Sequence, residues 1–287
     1  MFKRLFYPLT ATLDFIQKYF KSLLFILLLI VLFTPRDADP LKRPNLAQIT
    51  LKGPILDAEE IVRQLDELRE DPTIEGVLFT VDSPGGAVAP SVEIALALKR
   101  LKAKKPVVAY AAGTMASGSY YAAVWADRIV ANPAATIGSI GVIMEGMNIR
   151  PLMEKIGVSP QVVKAGRFKE AGTPLREWTP IERQAIETHV RDIYRMFVHD
   201  VAQARHLDEN RSERFADAKI FIAQKALEVG LIDAVGSIET AKKTIQKLAG
   251  VKEARWKEKG KWERYFERLA ERSAAYFAAQ LRSWTVR

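Results

Sequence analysis

The chain has 287 residues, 48% of them apolar, enough for one large core or two modest ones and unlike the composition of a disordered chain. It contains no cysteine, which excludes disulfides, zinc–thiolate sites and cysteine nucleophiles and leaves the redox compartment open. The formal net charge of +9 gathers toward the two ends and is accompanied by no nucleic-acid-reading motif, so nucleic acid is not an expected partner.

In chain order, Lys3, Arg4, Lys18 and Lys21 precede an uninterrupted apolar run from Leu23 to Phe33, followed by Thr34-Pro35-Arg36-Asp37. That run is shorter than the roughly 20 residues of a spanning helix, and Tyr19, Phe20 and a snorkelling Lys21 complete it. No small-x-small site follows, so residues 1–34 are expected to form an uncleaved transmembrane anchor, its basic N-terminus cytoplasmic and the rest of the chain outside. Pro35, Pro40 and Pro44 make 35–45 a semi-extended linker, and the main domain is expected over 46–250.

A strand pattern begins near Leu46, and Asp57-Ala58-Glu59-Glu60 offers a capping-box start to a helix with apolar Ile61, Leu65 and Leu68. A strand over Gly76 to Val81, a helix over Ser91 to Lys102, a strand over Pro106 to Ala111, a helix over about Ser117 to Ala126 and a strand over Arg128 to Ala131 follow. Such repeated alternation within about a hundred residues implies parallel strands joined by right-handed crossovers, an α/β fold. Thr179-Pro180-Ile181-Glu182 combines an N-cap, a proline at the first helical position and a capping glutamate, and starts a long helix to about His206. A shorter helix ends at Gly230, another covers Ser237 to Leu248, and residues 251–287 are a basic, aromatic extension suited to a membrane surface, subunit packing or disorder.

Two glycine turns carry the candidate chemistry. In Val81-Asp82-Ser83-Pro84-Gly85-Gly86 a strand runs into successive glycines whose backbone amides can face an anion, yet no Gly-Lys-Ser/Thr follows to make a phosphate loop. Ala112-Gly113-Thr114-Met115-Ala116-Ser117-Gly118-Ser119-Tyr120-Tyr121 repeats the arrangement after the next strand. Ser117 falls at a helix start, where it is either a nucleophile favoured by the helix N-terminal field or an ordinary N-cap. Ser119 and Ser83 are weaker competitors. His189, His199 and His206 all fall in or at the end of the long polar helix, which disfavours a Ser-His-Asp triad. A desolvated lysine can replace histidine as base. Lys169 is the candidate, in the loop Val162 to Pro174 after an apolar strand, with Lys164 its nearest rival.

The order SPGG, ASGSYY, GSIGV (Gly138 to Val142) and KAGRFKEAGTP resembles the signal peptide peptidase A family of serine proteases in its short, single-repeat form, over roughly Leu46 to Gly236. The resemblance implies a crotonase/Clp-protease-like fold and a Ser-Lys dyad. It makes Ser117 the nucleophile and Lys169 the general base, with an oxyanion hole from the amides of Gly85 or Gly86 and of Gly118, and Ser139 orienting the lysine. It also implies peptide substrates such as remnant signal peptides, no metal or cofactor, a ring-like homo-oligomer in which serine and lysine can come from neighbouring subunits, and a single-pass place in the bacterial inner membrane with the domain on the periplasmic side. Ser119, Ala218-Lys219 and Ile222-Ala223 depart from the family pattern. The competing readings are a catalytically silent scaffold of a membrane complex and an acyl-thioester enzyme of the same fold.

Overall fold

The computed structural model describes residues 17–28 and 43–257. Residues 17–28 are helical and exposed, with Phe25 and Leu27 uncovered. Among the described residues no helix is long and apolar enough to cross a membrane. The rest of the expected anchor, most of the linker and the extension beyond 257 lie outside the described residues.

The main domain alternates strand and helix as the periodicity predicts. β1 (Leu46–Lys52), α1 (Glu59–Glu70), β2 (Gly76–Ser83), α2 (Val88–Lys102), β3 (Val107–Ala116), α3 (Gly118–Ala123) and β4 (Arg128–Ala131) follow one another, with β1, β2, β3 and β4 paired in parallel in that order. β2 is apolar from Val77 to Val81 except for buried Thr80, and β3 is apolar from Val107 to Ala111, because both faces of the sheet are covered there. Val77, Phe79 and Val81 of β2 and Val107, Ala109 and Ala111 of β3 enter one core cluster, packed with Leu65 of α1 and Leu98 of α2. The alternate residues Leu78, Val108 and Tyr110 enter a second cluster on the opposite face, closed by Ala241 and Ile245 of a helix spanning Ile238–Leu248. The side-chain period of two thus feeds two cores from one strand.

The capping box expected at Asp57 does not form. The N-cap is Ala58, which has no capping side chain, and α1 begins at Glu59 with Glu59 and Glu60 in its first turn. The chain just before it is committed elsewhere: the Ile55 amide donates to Gly85 O (2.9 Å) and Ile55 O accepts from the Ala87 amide (2.8 Å). The box at Thr179 and Glu182 does form, opening a helix over Pro180–Arg205 that ends at left-handed His206.

Three further strands are too short to read from sequence. β5 (Thr136–Gly138) pairs in parallel with the far half of β3, Thr114 to Ala116, while β4 takes the near half, Val108 to Ala111. β6 (Ile220–Ile222) pairs antiparallel with β5, and β7 (Ala234–Val235) pairs parallel with β4, so the sheet is mixed. At the β1 edge, Asn45 and Leu46 both donate to Arg255 O (2.8 and 3.1 Å), and Lys257 donates to Leu46 O (2.7 Å).

The remaining helices complete the order: α4 (Arg150–Lys155), α5 (Pro180–Arg205), α6 (Ala223–Glu228) and α7 (Ile238–Leu248).

Candidate active site

Ser117 occupies the one-residue junction between β3 and α3. Its backbone is held on both sides, the amide donating to Gly138 O (2.8 Å) and the carbonyl accepting from the Tyr121 amide (3.0 Å). The resulting φ of 53° and ψ of −127° lie where an L-residue is strained and glycine is usual. Its hydroxyl makes no capping bond to α3, so the ordinary N-cap role is not taken up. That hydroxyl has no hydrogen-bond partner among the described residues.

The competing serines are structural. Ser119 is fully buried, its Oγ donating to Ser83 O (2.6 Å) and accepting from the Ala116 amide (2.9 Å). Ser83, also buried, accepts from the Gly85 amide (3.2 Å) through Oγ. Of these bonds, Ser119 Oγ to Ser83 O ties the first glycine turn to the β3–α3 junction, and Ser83 Oγ to the Gly85 amide closes the turn locally.

The local bond separates the two glycines of the first turn. The Gly85 amide is taken by Ser83, whereas the amides of Gly86 and Gly118 have no hydrogen-bond partner among the described residues. They lie side by side, since a Cβ on Gly118 would sit 3.4 Å from Gly86 N. Glycine is forced at both turns: a Cβ on Gly86 would fall 2.1 Å from Ile55 O, and one on Gly85 2.6 Å from Gly118 N.

Both free amides and Ser117 open into a cavity of about 340 Å³. Ser139 lines the same cavity, half-buried, with φ of 50° and its amide donating to Lys219 O (2.7 Å). The other walls are apolar, Val88 and Val92 from α2 and Ile193, Met196 and Phe197 from α5. Tyr121 packs edge-to-face on Phe197, ring centroids 5.0 Å apart, and its hydroxyl donates to the Asp200 carboxylate. Burial, reinforced by Asp200, pushes the Tyr121 hydroxyl well above its usual pKa, so it stays a donor and cannot act as a base. The α5 wall escaped the sequence reading, although Ile193, Met196 and Phe197 stand at helical spacing on a mostly polar helix, the signal that could have found it.

Lys169 is exposed, on a turn where its amide donates to Gly166 O (3.3 Å), and it does not line this cavity. Its rival Lys164 is engaged with Glu170 (2.6 Å). The histidines are exposed and none lines the cavity; His199 pairs with Glu209 (2.9 Å). The structure therefore brings together Ser117, Gly86, Gly118 and Ser139, and leaves Lys169 outside the cavity within one chain.

The structure thus gathers a strained serine, two amides with no hydrogen-bond partner among the described residues and a largely apolar cleft at one place on the α/β core. The profile of peptidase family S49 matches residues 99–252, spanning Ser117, Ser139 and Lys169 but not the first glycine turn. A protein of Methanocaldococcus jannaschii described as a protease is 41% identical over 195 residues, 68% of this chain and 63% of its own length. A protein of Enterococcus faecium bearing the name signal peptide peptidase SppA is 37% identical over 191 residues, 66% of this chain and 55% of its own. A solved ClpP1 variant from Listeria monocytogenes superposes over 66% of this chain and 91% of its own with a TM-score of 0.47 at 14% identity. The chain belongs to peptidase family S49, as its motif order indicated, and spans under two thirds of the length of these two relatives.

Proposed function

We propose that the protein is a serine endopeptidase with Ser117 as nucleophile, Lys169 as general base, the amides of Gly86 and Gly118 as oxyanion hole and Ser139 orienting the lysine. The observation that carries this reading is the strained Ser117, its hydroxyl and the two neighbouring amides of Gly86 and Gly118 without hydrogen-bond partners among the described residues, at a largely apolar cavity. In the reaction Ser117 Oγ bonds to the scissile carbonyl carbon while its proton passes to Lys169 Nζ. The two amides hold the carbonyl oxygen as it becomes anionic, and Lys169 returns the proton to the leaving amine. Water then adds to the acyl-enzyme and releases Ser117.

A lysine acts as a base only where it is withdrawn from water, and Lys169 is exposed in the single chain. A neighbouring copy therefore completes the dyad, burying Lys169 against its own Ser117. The arm from Ile143 to Phe168 supports this, for Ile143, Met147 and Val163 are all strongly exposed apolar side chains. The apolar walls of the cavity fit peptides with an apolar residue before the scissile bond, such as remnants of membrane-targeting segments. The basic N-terminus and the apolar run to Phe33 support a single-pass anchor in the bacterial inner membrane, with the domain on the periplasmic side. The crotonase/Clp-type assignment of the fold belongs to the same reading.

The test is cleavage of casein and of a short apolar peptide by full-length protein in detergent, comparing wild type with Ser117→Ala and Lys169→Ala. Activity is expected in wild type alone. Activity retained by purified Ser117→Ala would remove the nucleophile assignment. A wild type that neither cleaves nor is labelled by a fluorophosphonate would favour a silent scaffold.

A further inference from the structure

We propose that Arg176 is a positioning residue that clamps the Lys169 turn, through Glu170, to the buried Glu182 at the start of α5; the proposal rests on Lys169 being the base. At its far end the loop is tied by the Ile149 amide to Pro174 O (2.8 Å) and Trp178 Nε1 to Thr173 O (2.9 Å), but Lys169 itself has no such tie among the described residues. The turn's own bonds are short-range, Lys169 N to Gly166 O (3.3 Å), Ala171 N to Phe168 O (3.0 Å) and Thr173 N to Glu170 O (3.1 Å), and Phe168 is half uncovered. Glu170, the residue after Lys169, makes the outward tie: its Oε2 accepts from Lys164 Nζ (2.6 Å) and from Arg176 Nη2 (2.9 Å).

Arg176 is itself anchored to a fixed point. Its Nη1 and Nη2 donate to Glu182 Oε2 and Oε1 (2.9 and 2.8 Å), a bidentate pair, and Nη1 also donates to Glu177 O (2.9 Å). Glu182 is only 2% exposed and accepts in addition from the Thr179 amide and hydroxyl (both 2.9 Å), the capping box of α5. The Arg176 guanidinium first, then the Thr179 amide, hold the Glu182 carboxyl far below the usual range, and Lys164 and Arg176 lower that of Glu170, so the clamp stays charged. Three turns further along, α5 supplies Ile193, Met196 and Phe197 to the cavity wall. One guanidinium thus ties the base-bearing turn to the helix that shapes the substrate cleft. A lysine in its place keeps the charge but lacks the planar fork that serves two carboxylates at once.

The experiment measures kcat, KM and Tm of full-length Arg176→Gln, Arg176→Lys, Glu170→Gln and Lys169→Ala on an apolar peptidyl-coumarin amide. Glu170→Gln leaves the Arg176–Glu182 pair and the capping box in place, so it remains informative if Arg176→Gln fails to fold. Misplacing a catalytic group costs kcat: a fall of about 10- to 100-fold is expected in Glu170→Gln and Arg176→Gln, with KM within about twofold and Arg176→Lys in between. Wild-type kcat in folded Glu170→Gln beside an inactive Lys169→Ala overturns the clamp and leaves the base assignment standing. A change confined to KM overturns it as well, since that reports the cleft. Activity in Lys169→Ala removes both.

Discussion

Glycine at position 117 should give a more stable protein than alanine there, the reverse of the usual order. Both variants lack the hydroxyl, which has no hydrogen-bond partner among the described residues, so neither leaves a bonding group orphaned. They differ only in Cβ. At an ordinary φ, alanine is favoured over glycine by about 0.5–1 kcal/mol because glycine has more backbone freedom to lose. At φ 53° and ψ −127°, however, Cβ imposes strain of about 1–3 kcal/mol. The strain outweighs the entropy, leaving a net of about 1 kcal/mol in favour of glycine, or roughly 2–4 °C in Tm for a domain of this size. The assay is thermal or urea unfolding of full-length Ser117→Gly and Ser117→Ala beside wild type, with peptide cleavage to confirm that both are inactive. A Ser117→Ala protein as stable as Ser117→Gly, or more so, would refute the strain argument and with it the main ground for singling out this serine.

Gly118→Ala places a Cβ 2.3 Å from Ser91 Oγ and 3.1 Å from Ser91 Cβ, and Ser91 is buried with Oγ donating to Ala87 O (2.8 Å). Overpacking of about 1–3 kcal/mol and displacement of one proposed oxyanion donor, a loss of about 10²–10³ in kcat, are expected. Adding Ser91→Gly removes both close atoms and should recover part of that activity, which the kinetics of single and double variants will show. Asp71 receives the Thr73 hydroxyl and amide and Lys257 Nζ (3.1 Å), which push its carboxyl down to about 2. A depressed carboxylate stabilises the fold above its unfolded pKa near 3.8 and loses that contribution as pH falls through about 2. Asp71→Asn should therefore cost about 1–2 kcal/mol at pH near 7 and little near pH 2, read by urea unfolding at both, with the lower figure expected because the pair is partly exposed.

The α/β alternation was legible because the first halves of β2 and β3 are mostly apolar and each runs into a glycine-containing turn, and the start of α5 because its capping box is purely local. The start of α1 was misread because a long-range pairing at Ile55 decides where the chain is free to turn. β5 and β6 carry three residues each, too few to show a period; β5 is held by the far half of β3 and β6 by β5.

For the site, the sequence by itself determined which side chains have the chemistry: a serine between small residues, glycines at two strand ends, and no histidine near either. Those are matters of residue type and local order. A local bond, the Gly85 amide to Ser83 Oγ, occupies Gly85, but tertiary structure alone brought the Gly86 amide beside Gly118, with Ser119 Oγ donating to Ser83 O across the two turns. It alone decided that Ser117 is strained and uncapped, and that α5, more than sixty residues downstream, walls the cleft. Hydrogen-bond partners and cavity walls are set by which segments meet in space, and distance along the chain carries no record of that.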